Sequence, residues 1–302
     1  MQKKKASCRH RAAHALFRGV LWLARVSPRW AVGWKRRALV FFFKKASPRH
    51  ARLVAANLEA AFPGSDPGWR RELKERIYRH FGTVFLEILR TFARDEAAAI
   101  LARSRVRGWE NLERALAAGR GVILFSAHFG NWEWIPLLLS DRLGRRVHSV
   151  ARPMDNPLVE EMVRGFRQAM GSSLLNKQGS LRAILKLLAT GEIVFLLIDQ
   201  NTVPREGVFV DFFGRPAATI TTAAQLRLKR GVPLVPAFLH YEGEAIVFEI
   251  LPEVAPAAGD VVGLTQELTR TIEEQVRRFP EQWFWFHNRW KTRPQGEAHE
   301  SP

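Results

Sequence analysis

The sequence is nearly free of cysteine, since Cys8 is the one thiol among 302 residues. A single thiol excludes an intramolecular disulfide framework and any zinc site built on several cysteines, and it fits a reducing, cytosol-facing location. The histidines lack the spacing typical of metal ligands, so we expect no metal and no other cofactor. A Gly-x-Ser-x-Gly motif is also missing, which argues against an α/β hydrolase with a nucleophilic serine.

Acidic residues are absent from the first 58 positions, which contain 15 of the 47 lysines and arginines. The remaining 244 residues have 32 basic and 29 acidic side chains, a balance of +3 within a total of +18. The basicity therefore belongs to an N-terminal arm, residues 1–50, and not to a charged channel through the body. Such an arm meets a polyanionic surface, so membrane lipid and nucleic acid both remain open as partners.

Long hydrophobic runs are missing as well, because no stretch of 18 uncharged apolar residues occurs. Two short apolar segments of the arm, 12–24 and 38–43, are flanked by cations and accompanied by Trp22, Trp30 and Trp34. This pattern is typical of helices that lie in the membrane interface with tryptophans at headgroup level. We predict a membrane-associating arm; a weak transmembrane anchor, a signal peptide and a solvated basic tail are the alternatives.

The body changes character near residue 120. Residues 50–118 have the apolar spacing of helices, most clearly over 69–92. Beyond residue 120, short apolar segments alternate with helical ones; the predicted strands are 121–126, 146–151, 193–198, 233–239 and 245–251, and the predicted helices are 157–169, 180–189, 219–229 and 263–279. This alternation predicts an α/β fold with a mixed, mostly parallel sheet flanked by helices, over 51–294. Residues 295–302 are expected to form a flexible tail.

Polar residues follow the predicted strands at the point where each strand ends. His128 follows the first strand, Arg152 the second, and Asp199 and Gln200 the third. Because sites in open α/β sheets form beyond the carboxyl ends of the strands, we expect these side chains to converge. A surface arginine and a turn-forming aspartate are the alternatives for Arg152 and Asp199.

His128 opens the hexapeptide HFGNWE, which lies between a strand and a helix. The Gly-Asn pair predicts a turn, with Asn131 capping the following helix. The histidine is then expected to fold back onto Glu133, whose carboxylate would fix the imidazole tautomer and leave the other nitrogen as a general base. A buried structural histidine is the alternative.

Five ordered blocks make the sequence resemble a known family over nearly its whole length. They are Asn57-Leu58 with Ala61-Phe62-Pro63, the HFGNWE motif, Arg152-Pro153 with Asp155-Asn156-Pro157, Asp199-Gln200 followed by 207–214 and Pro216-Ala217-x-Thr219, and the Trp- and Arg-rich segment 280–294. Together they are similar to the late acyltransferases of lipid A biosynthesis, the lauroyl and myristoyl transferases. The last block has two interpretations, a core segment with a capping arginine or an aromatic wall at the membrane or acyl tunnel.

The resemblance implies an O-acyltransferase with an acyltransferase-like fold, acting at the cytoplasmic face of the inner membrane in lipopolysaccharide biosynthesis. It implies acyl-carrier protein as donor, a hydroxyl of a lipid A precursor as acceptor, and no nucleic acid. His128 and Glu133 match the family's catalytic pair, and Arg152, Asp199, Asn131 and Gln200 match positions expected to contact substrate or shape the site. Relatives that acylate another glycolipid or phospholipid share the HFGNWE motif, so such an acceptor is the alternative.

Overall fold

The computed structural model describes residues 7–26, 32–46, 48–94, 96–176, 179–255 and 259–295. At its centre is a seven-stranded sheet of strand order β1-β9-β8-β2-β5-β3-β4, in which β8 and β9 are antiparallel and the other neighbours are parallel. The strands are β1 (Ser104–Arg107), β2 (Val122–Ser126), β3 (Val147–Ala151), β4 (Ser172–Asn176), β5 (Ile193–Leu197), β8 (Leu234–Glu242) and β9 (Ala245–Ile250). A separate antiparallel hairpin joins β6 (Gly207–Phe212) to β7 (Arg215–Ile220). The mixed, mostly parallel sheet was therefore predicted correctly.

Helices cover both faces of the sheet, because the inner strands are apolar on both sides. They are α1 (Cys8–Val26), α2 (Val32–Ala46), α3 (Pro48–Ala61), α4 (Pro67–Arg94), α5 (Ala97–Arg103), α6 (Trp109–Ala117), α7 (Ile135–Leu143), α8 (Pro157–Ala169), α9 (Leu181–Ala189), α10 (Thr222–Arg230) and α11 (Val261–Arg278). One face packs against α3, α4, α9, α10 and α11, and the other against α5, α6 and α7. All five residues of β2 are buried, as expected for a central strand.

Five elements depart from the sequence-based expectation. β1 lies inside the stretch predicted as helical, and its sequence SRVR gives alternate half-buried and exposed positions typical of a charged edge strand. β4 and the β6–β7 hairpin were not predicted. The hairpin turn uses Phe213, a non-glycine residue with φ of 59°, so the usual turn signal is weak there. The helix predicted from 219 begins at Thr222, because the hairpin continues to Ile220.

The described residues of the N-terminal arm form helices that pack against the body. Leu21 and Ala24 of α1 are buried, and the ring of Phe17 meets Phe92 of α4 edge to face at 5.7 Å. α2 crosses α4 closely at Gly82, where a Cβ would lie 2.5 Å from the Val40 side chain. Within the part of the chain that the structure describes, none of the helices is long and apolar enough to cross a membrane. Trp30 and the tail from residue 296 onward fall outside that part.

The C-terminal segment 279–295 lies against the body rather than outside it. Trp283, Trp285 and Arg289 are each at most 1% exposed. Arg289 donates to the Ala218 carbonyl at 2.7 Å and to the Thr219 hydroxyl, so its buried charge is hydrogen bonded to β7. The interpretation of this block as a core segment with a capping arginine is therefore confirmed.

Candidate active site

The cavity next to His128 has a volume of about 1310 Å³ and opens at the carboxyl ends of the central strands. β2 pairs with β5 along all five residues, whereas β3 meets β5 at His148–Val194 and Ser149–Phe195. After Ser149 and Phe195, toward the carboxyl ends of β3 and β5, the cavity lies between the two strands. Its wall has apolar side chains, among them Ile184, Phe195 and Ile198, beside polar ones at the mouth. A ligand with both apolar and polar parts fits such a lining.

His128 and Asp199 form a close pair at this cavity. Asp199 Oδ1 lies 2.8 Å from His128 Nδ1, and Asp199 Oδ2 accepts the backbone N–H of His128 at 3.0 Å. The carboxylate is almost fully buried, with its side chain 3% exposed, while the imidazole is 19% exposed and lines the cavity. The predicted convergence of these two strand ends is confirmed.

Trp283 supplies the third hydrogen bond to this carboxylate, from Nε1 to Asp199 Oδ2 at 2.9 Å. Burial by itself would raise the pKa of Asp199, but the charge of His128 and the three hydrogen bonds outweigh burial and lower the pKa to about 2. Asp199 is therefore ionised at neutral pH. Because an ionised carboxylate only accepts, Nδ1 carries the hydrogen, and the neutral tautomer that this hydrogen bond selects has its lone pair on Nε2.

The free nitrogen of His128 faces Gln200, whose Nε2 lies 3.3 Å from His128 Nε2. Gln200 also lines the cavity, so an amide donor lies beside the one basic atom of the pair. An imidazole with a buried carboxylate on its far side and a ligand cavity on its near side has the arrangement of a general base.

Glu133 does not orient His128, and this part of the prediction is corrected. Glu133 lies in a 3₁₀ turn (Trp132–Trp134) and points toward α8, where Arg167 donates from Nε to Oε2 at 2.9 Å and from Nη2 to Oε1 at 2.5 Å. Both side chains line the cavity wall. The motif thus places Glu133 at the cavity. The partner of the imidazole is instead Asp199, which lies 71 residues further along the chain.

Asn131 is also placed differently from the prediction. It precedes the 3₁₀ turn but makes no side-chain capping bond, and it is fully buried, so it offers no surface to a substrate. The neighbouring Gly130 has φ of 55°, and a Cβ there would lie 1.8 Å from the Leu239 carbonyl, so only glycine fits. The Gly130 amide donates to the Gln282 carbonyl at 2.8 Å and is not available to an anion in the cavity.

Arg152 lines the mouth of the cavity, with its side chain 75% exposed and 3.2 Å from Asp155. It shares the cavity with His128 without belonging to the hydrogen-bonded pair. Asp199, predicted as a substrate-contacting residue, instead lies beneath His128.

Two site residues were missed by sequence reasoning. Arg167 is the partner of Glu133, and Trp283 anchors Asp199. The contact of Trp283 could have been expected from the sequence, because the indole N–H of a tryptophan in a core segment needs a buried hydrogen-bond acceptor. Asn57 supports the same region, since its amide donates to the Trp285 carbonyl at 2.8 Å and the His287 carbonyl at 2.9 Å.

Comparisons with known proteins show which family the chain belongs to. The family model described as bacterial lipid A biosynthesis acyltransferase matches residues 1–292. The lipid A biosynthesis lauroyltransferase of Escherichia coli K12 is 29% identical over 293 residues, 92% of this chain and 91% of the relative. The E. coli K12 lipid A biosynthesis palmitoleoyltransferase is 28% identical over 268 residues, 83% of this chain and 81% of the relative.

A third relative acts on a different lipid. The phosphatidylinositol mannoside acyltransferase of Mycobacterium tuberculosis H37Rv is 28% identical over 188 residues, 61% of this chain and 59% of the relative. Since the family model extends over nearly the whole chain, the protein belongs to the bacterial lipid A biosynthesis acyltransferase family.

Proposed function

We propose that the protein transfers a fatty acyl chain from an acyl-carrier-protein thioester to a hydroxyl of a lipid A precursor. The observation that carries this proposal is the His128–Asp199 pair, which presents Nε2 of the imidazole at a large, partly apolar cavity. A hydroxyl is a poor nucleophile until a base removes its proton during attack, and the site offers such a base. Transfer of this kind is direct and needs no acyl-enzyme.

In the proposed reaction, His128 Nε2 takes the acceptor hydroxyl proton while the hydroxyl oxygen bonds to the thioester carbonyl carbon. The tetrahedral intermediate then collapses by breaking the carbon–sulfur bond, and the leaving sulfur takes the proton back from the imidazolium. Asp199 stays ionised throughout, because its pKa is about 2, and stabilises the imidazolium that forms in between. The products are an ester and a free thiol, and the base is regenerated.

Gln200 is the proposed donor to the developing oxyanion. Its side-chain amide lies beside His128 Nε2, where a reacting carbonyl has to sit, whereas the Gly130 amide is already bonded to Gln282. Amide donors that point at a tetrahedral oxygen in a dry site lower the barrier. Arg152, exposed at the mouth, is placed to contact an anionic part of either substrate.

Glu133 keeps a place in the proposed site, with a changed role. Its two-point ion pair with Arg167 ties the turn after His128 to α8 and makes one stretch of the cavity wall polar. We therefore assign Glu133 to positioning the wall that the substrate meets, and Asp199 to supporting the base.

Association of the arm with a membrane, predicted from the sequence, is part of the proposal. Leu16, Trp22, Trp34 and Phe41 are between 62% and 75% exposed, although they lie on helices rich in cations. Apolar and aromatic side chains beside cations favour an anionic membrane surface, which we propose as the location of the enzyme. The split into an arm over 1–50 and an acyltransferase domain over 51–294 remains a prediction.

An acceptor other than a lipid A precursor is the second candidate, and the likeness to the mycobacterial relative favours it. Membership of an acyltransferase family leaves the nucleic-acid-binding alternative without support. The test incubates the purified full-length chain with acyl-carrier-protein or coenzyme A thioesters and identifies the acylated lipid by mass spectrometry. Acylation of the lipid A precursor from the carrier protein is expected, and steering by opposite charges should weaken with salt. Acylation of a phospholipid or mannoside alone would contradict the acceptor, and equal rates with coenzyme A would contradict the donor.

A further inference from the structure

Exposed apolar side chains lie at or close to residues that line the cavity. In the described part of the body, residues 48–295, the large hydrophobic side chains that are exposed are Met154, Leu181, Val203 and Val262, at 45% to 52%. They belong to four separate segments: the loop after β3, the start of α9, the loop after β5 and the start of α11. Leu181 lines the cavity, and each of the others lies one or two residues from a lining residue.

This convergence is informative because single exposed hydrophobic residues are ordinary and usually scattered. Here the exposed apolar side chains of the body gather at one opening, and we call these four residues the rim. Cations accompany the rim: the side chain of Arg152 is 75% exposed and that of Arg205 is 85% exposed, and both line the cavity. Apolar side chains among exposed arginines match the chemistry of an anionic bilayer surface.

The rim is continuous with the N-terminal arm. The loop that carries Arg152 and Met154 ends at Asn156, whose side-chain amide donates to the His10 carbonyl of α1 at 3.0 Å. Phe166 of α8 stacks on Phe92 at 4.7 Å, and Phe92 in turn meets Phe17 of α1. The helix with exposed apolar residues is thus held against the loop and helix next to the opening.

We propose that the rim seats in the surface of an anionic bilayer, so that the cavity opens directly into the membrane. The part of this inference that concerns the substrate rests on the proposed function: a lipid acceptor would pass from the bilayer to His128 without crossing water. The apolar side chains distinguish this occupant from an acidic protein partner, which the arginines alone would suit equally well.

Spin labels test the proposal in the full-length chain. In a Cys8→Ser background, which removes the one native thiol, labels are attached after Met154→Cys, Val203→Cys or Val262→Cys, none of which lines the cavity. Ala118→Cys, exposed at the end of α6 before β2 and so at the opposite end of the strands, is the matched control. The labels are read with and without vesicles of phosphatidylethanolamine and phosphatidylglycerol.

On vesicles, the rim labels should become more accessible to oxygen and less accessible to a water-soluble nickel complex, while the Ala118 label stays aqueous. Rim labels that remain aqueous while the chain sediments with the vesicles would overturn the proposal, because the arm alone would then hold the protein. Failure of the chain to bind these vesicles, or protection of the rim labels by acyl-carrier protein instead, would overturn it as well. The measurement needs no turnover, so its failure is distinct from failure of the proposed reaction.

A charge-matched pair of triple variants extends the test to catalysis. Met154→Glu, Val203→Glu and Val262→Glu together should weaken vesicle binding by at least about tenfold, since both apolar burial and attraction to anionic lipid are lost. The control adds the same three charges at Ala117, Ala118 and Ala189, which are exposed at the far end of the strands. In the rim variant, KM for an acceptor presented in vesicles should rise while kcat is kept. Equal vesicle binding by the two triple variants would contradict the proposal.

Discussion

Two regions of the molecule build the proposed active site in different ways. The loop after β2 carries His128, and its sequence alone identifies it through a compact motif. The C-terminal segment carries Trp283 and reaches the site through a buried contact with Asp199, 84 residues earlier in the chain. The two regions are joined by backbone bonds, from Gly130 to Gln282 and from Phe284 to His128. The motif therefore identifies His128 as the proposed base, whereas the hydrogen-bond partners that position it are brought together only by the tertiary fold.

Loss of the base is expected to have the largest effect. His128→Ala should lower kcat by about 100- to 10,000-fold, because general base catalysis contributes that much. The thermal melt should be recorded alongside, because the same change removes a hydrogen-bond partner of the buried Asp199 carboxylate and is expected to lower stability. Turnover close to the unmodified enzyme in a folded variant would remove His128 from the mechanism.

Loss of the buried carboxylate should be nearly as severe. Asp199→Asn keeps the shape but removes the charge that holds the Nδ1 hydrogen, so the imidazole no longer presents a stable free Nε2; we expect kcat to fall by about 100-fold or more. Acid should not reproduce this loss near neutrality, because the pKa of Asp199 is about 2. A kcat within severalfold of normal would show that the pair is structural.

The contribution of the C-terminal segment is measured by Trp283→Phe, which keeps an aromatic ring but removes the indole N–H and part of the buried ring volume. One of three donors to Asp199 is lost, so we expect kcat to fall by about tenfold and the acid limb of the kcat/KM profile to move to higher pH, as the less stabilised carboxylate attracts the imidazole proton more strongly. Trp285→Phe is the matched control, because its Nε1 donates to the Pro280 carbonyl at 2.6 Å. A pH profile that shifts equally in both variants would reduce Trp283 to a packing residue.

The smallest effect concerns stability rather than turnover. Burial lowers the pKa of His80 to about 3 and that of His287 to about 4, from the usual 6.5, so each is neutral in the fold and protonated in the acid-unfolded chain. The unfolded state then binds more protons, and the free energy of unfolding should fall as pH drops from about 6.5 toward 4, by about 1.4 kcal/mol per pH unit for each histidine. His80→Phe should reduce that slope by one histidine's share in denaturant titrations. An unchanged slope would mean that His80 is not kept neutral by burial.

Sequence reasoning located the sheet and the residues at its strand ends, because apolar periodicity and strand order determine both. It failed for contacts decided by side-chain direction. Glu133 is five residues from His128, yet the 3₁₀ turn directs it to Arg167, while Asp199 arrives from the neighbouring parallel strand. Asn131 is of a residue type that is favoured at the start of a helix. Its side chain is instead buried beneath the loop after β2, next to the Tyr241–Glu87 hydrogen bond of 2.5 Å. Closeness to His128 in the sequence therefore does not predict the direction of the Glu133 or the Asn131 side chain.

The choice between Asp199 and Glu133 as the functional partner of His128 is decided by a double-mutant cycle on kcat/KM. Residues that act as a unit are not additive, so Asp199→Asn should add little to the loss already caused by His128→Ala. Glu133→Gln, which alters the cavity wall, should keep its full single-variant cost in the His128→Ala background. The reverse outcome, with an additive Asp199→Asn and a Glu133→Gln that costs nothing once His128 is gone, would contradict the assignment of Asp199 and restore Glu133 as the partner of the base.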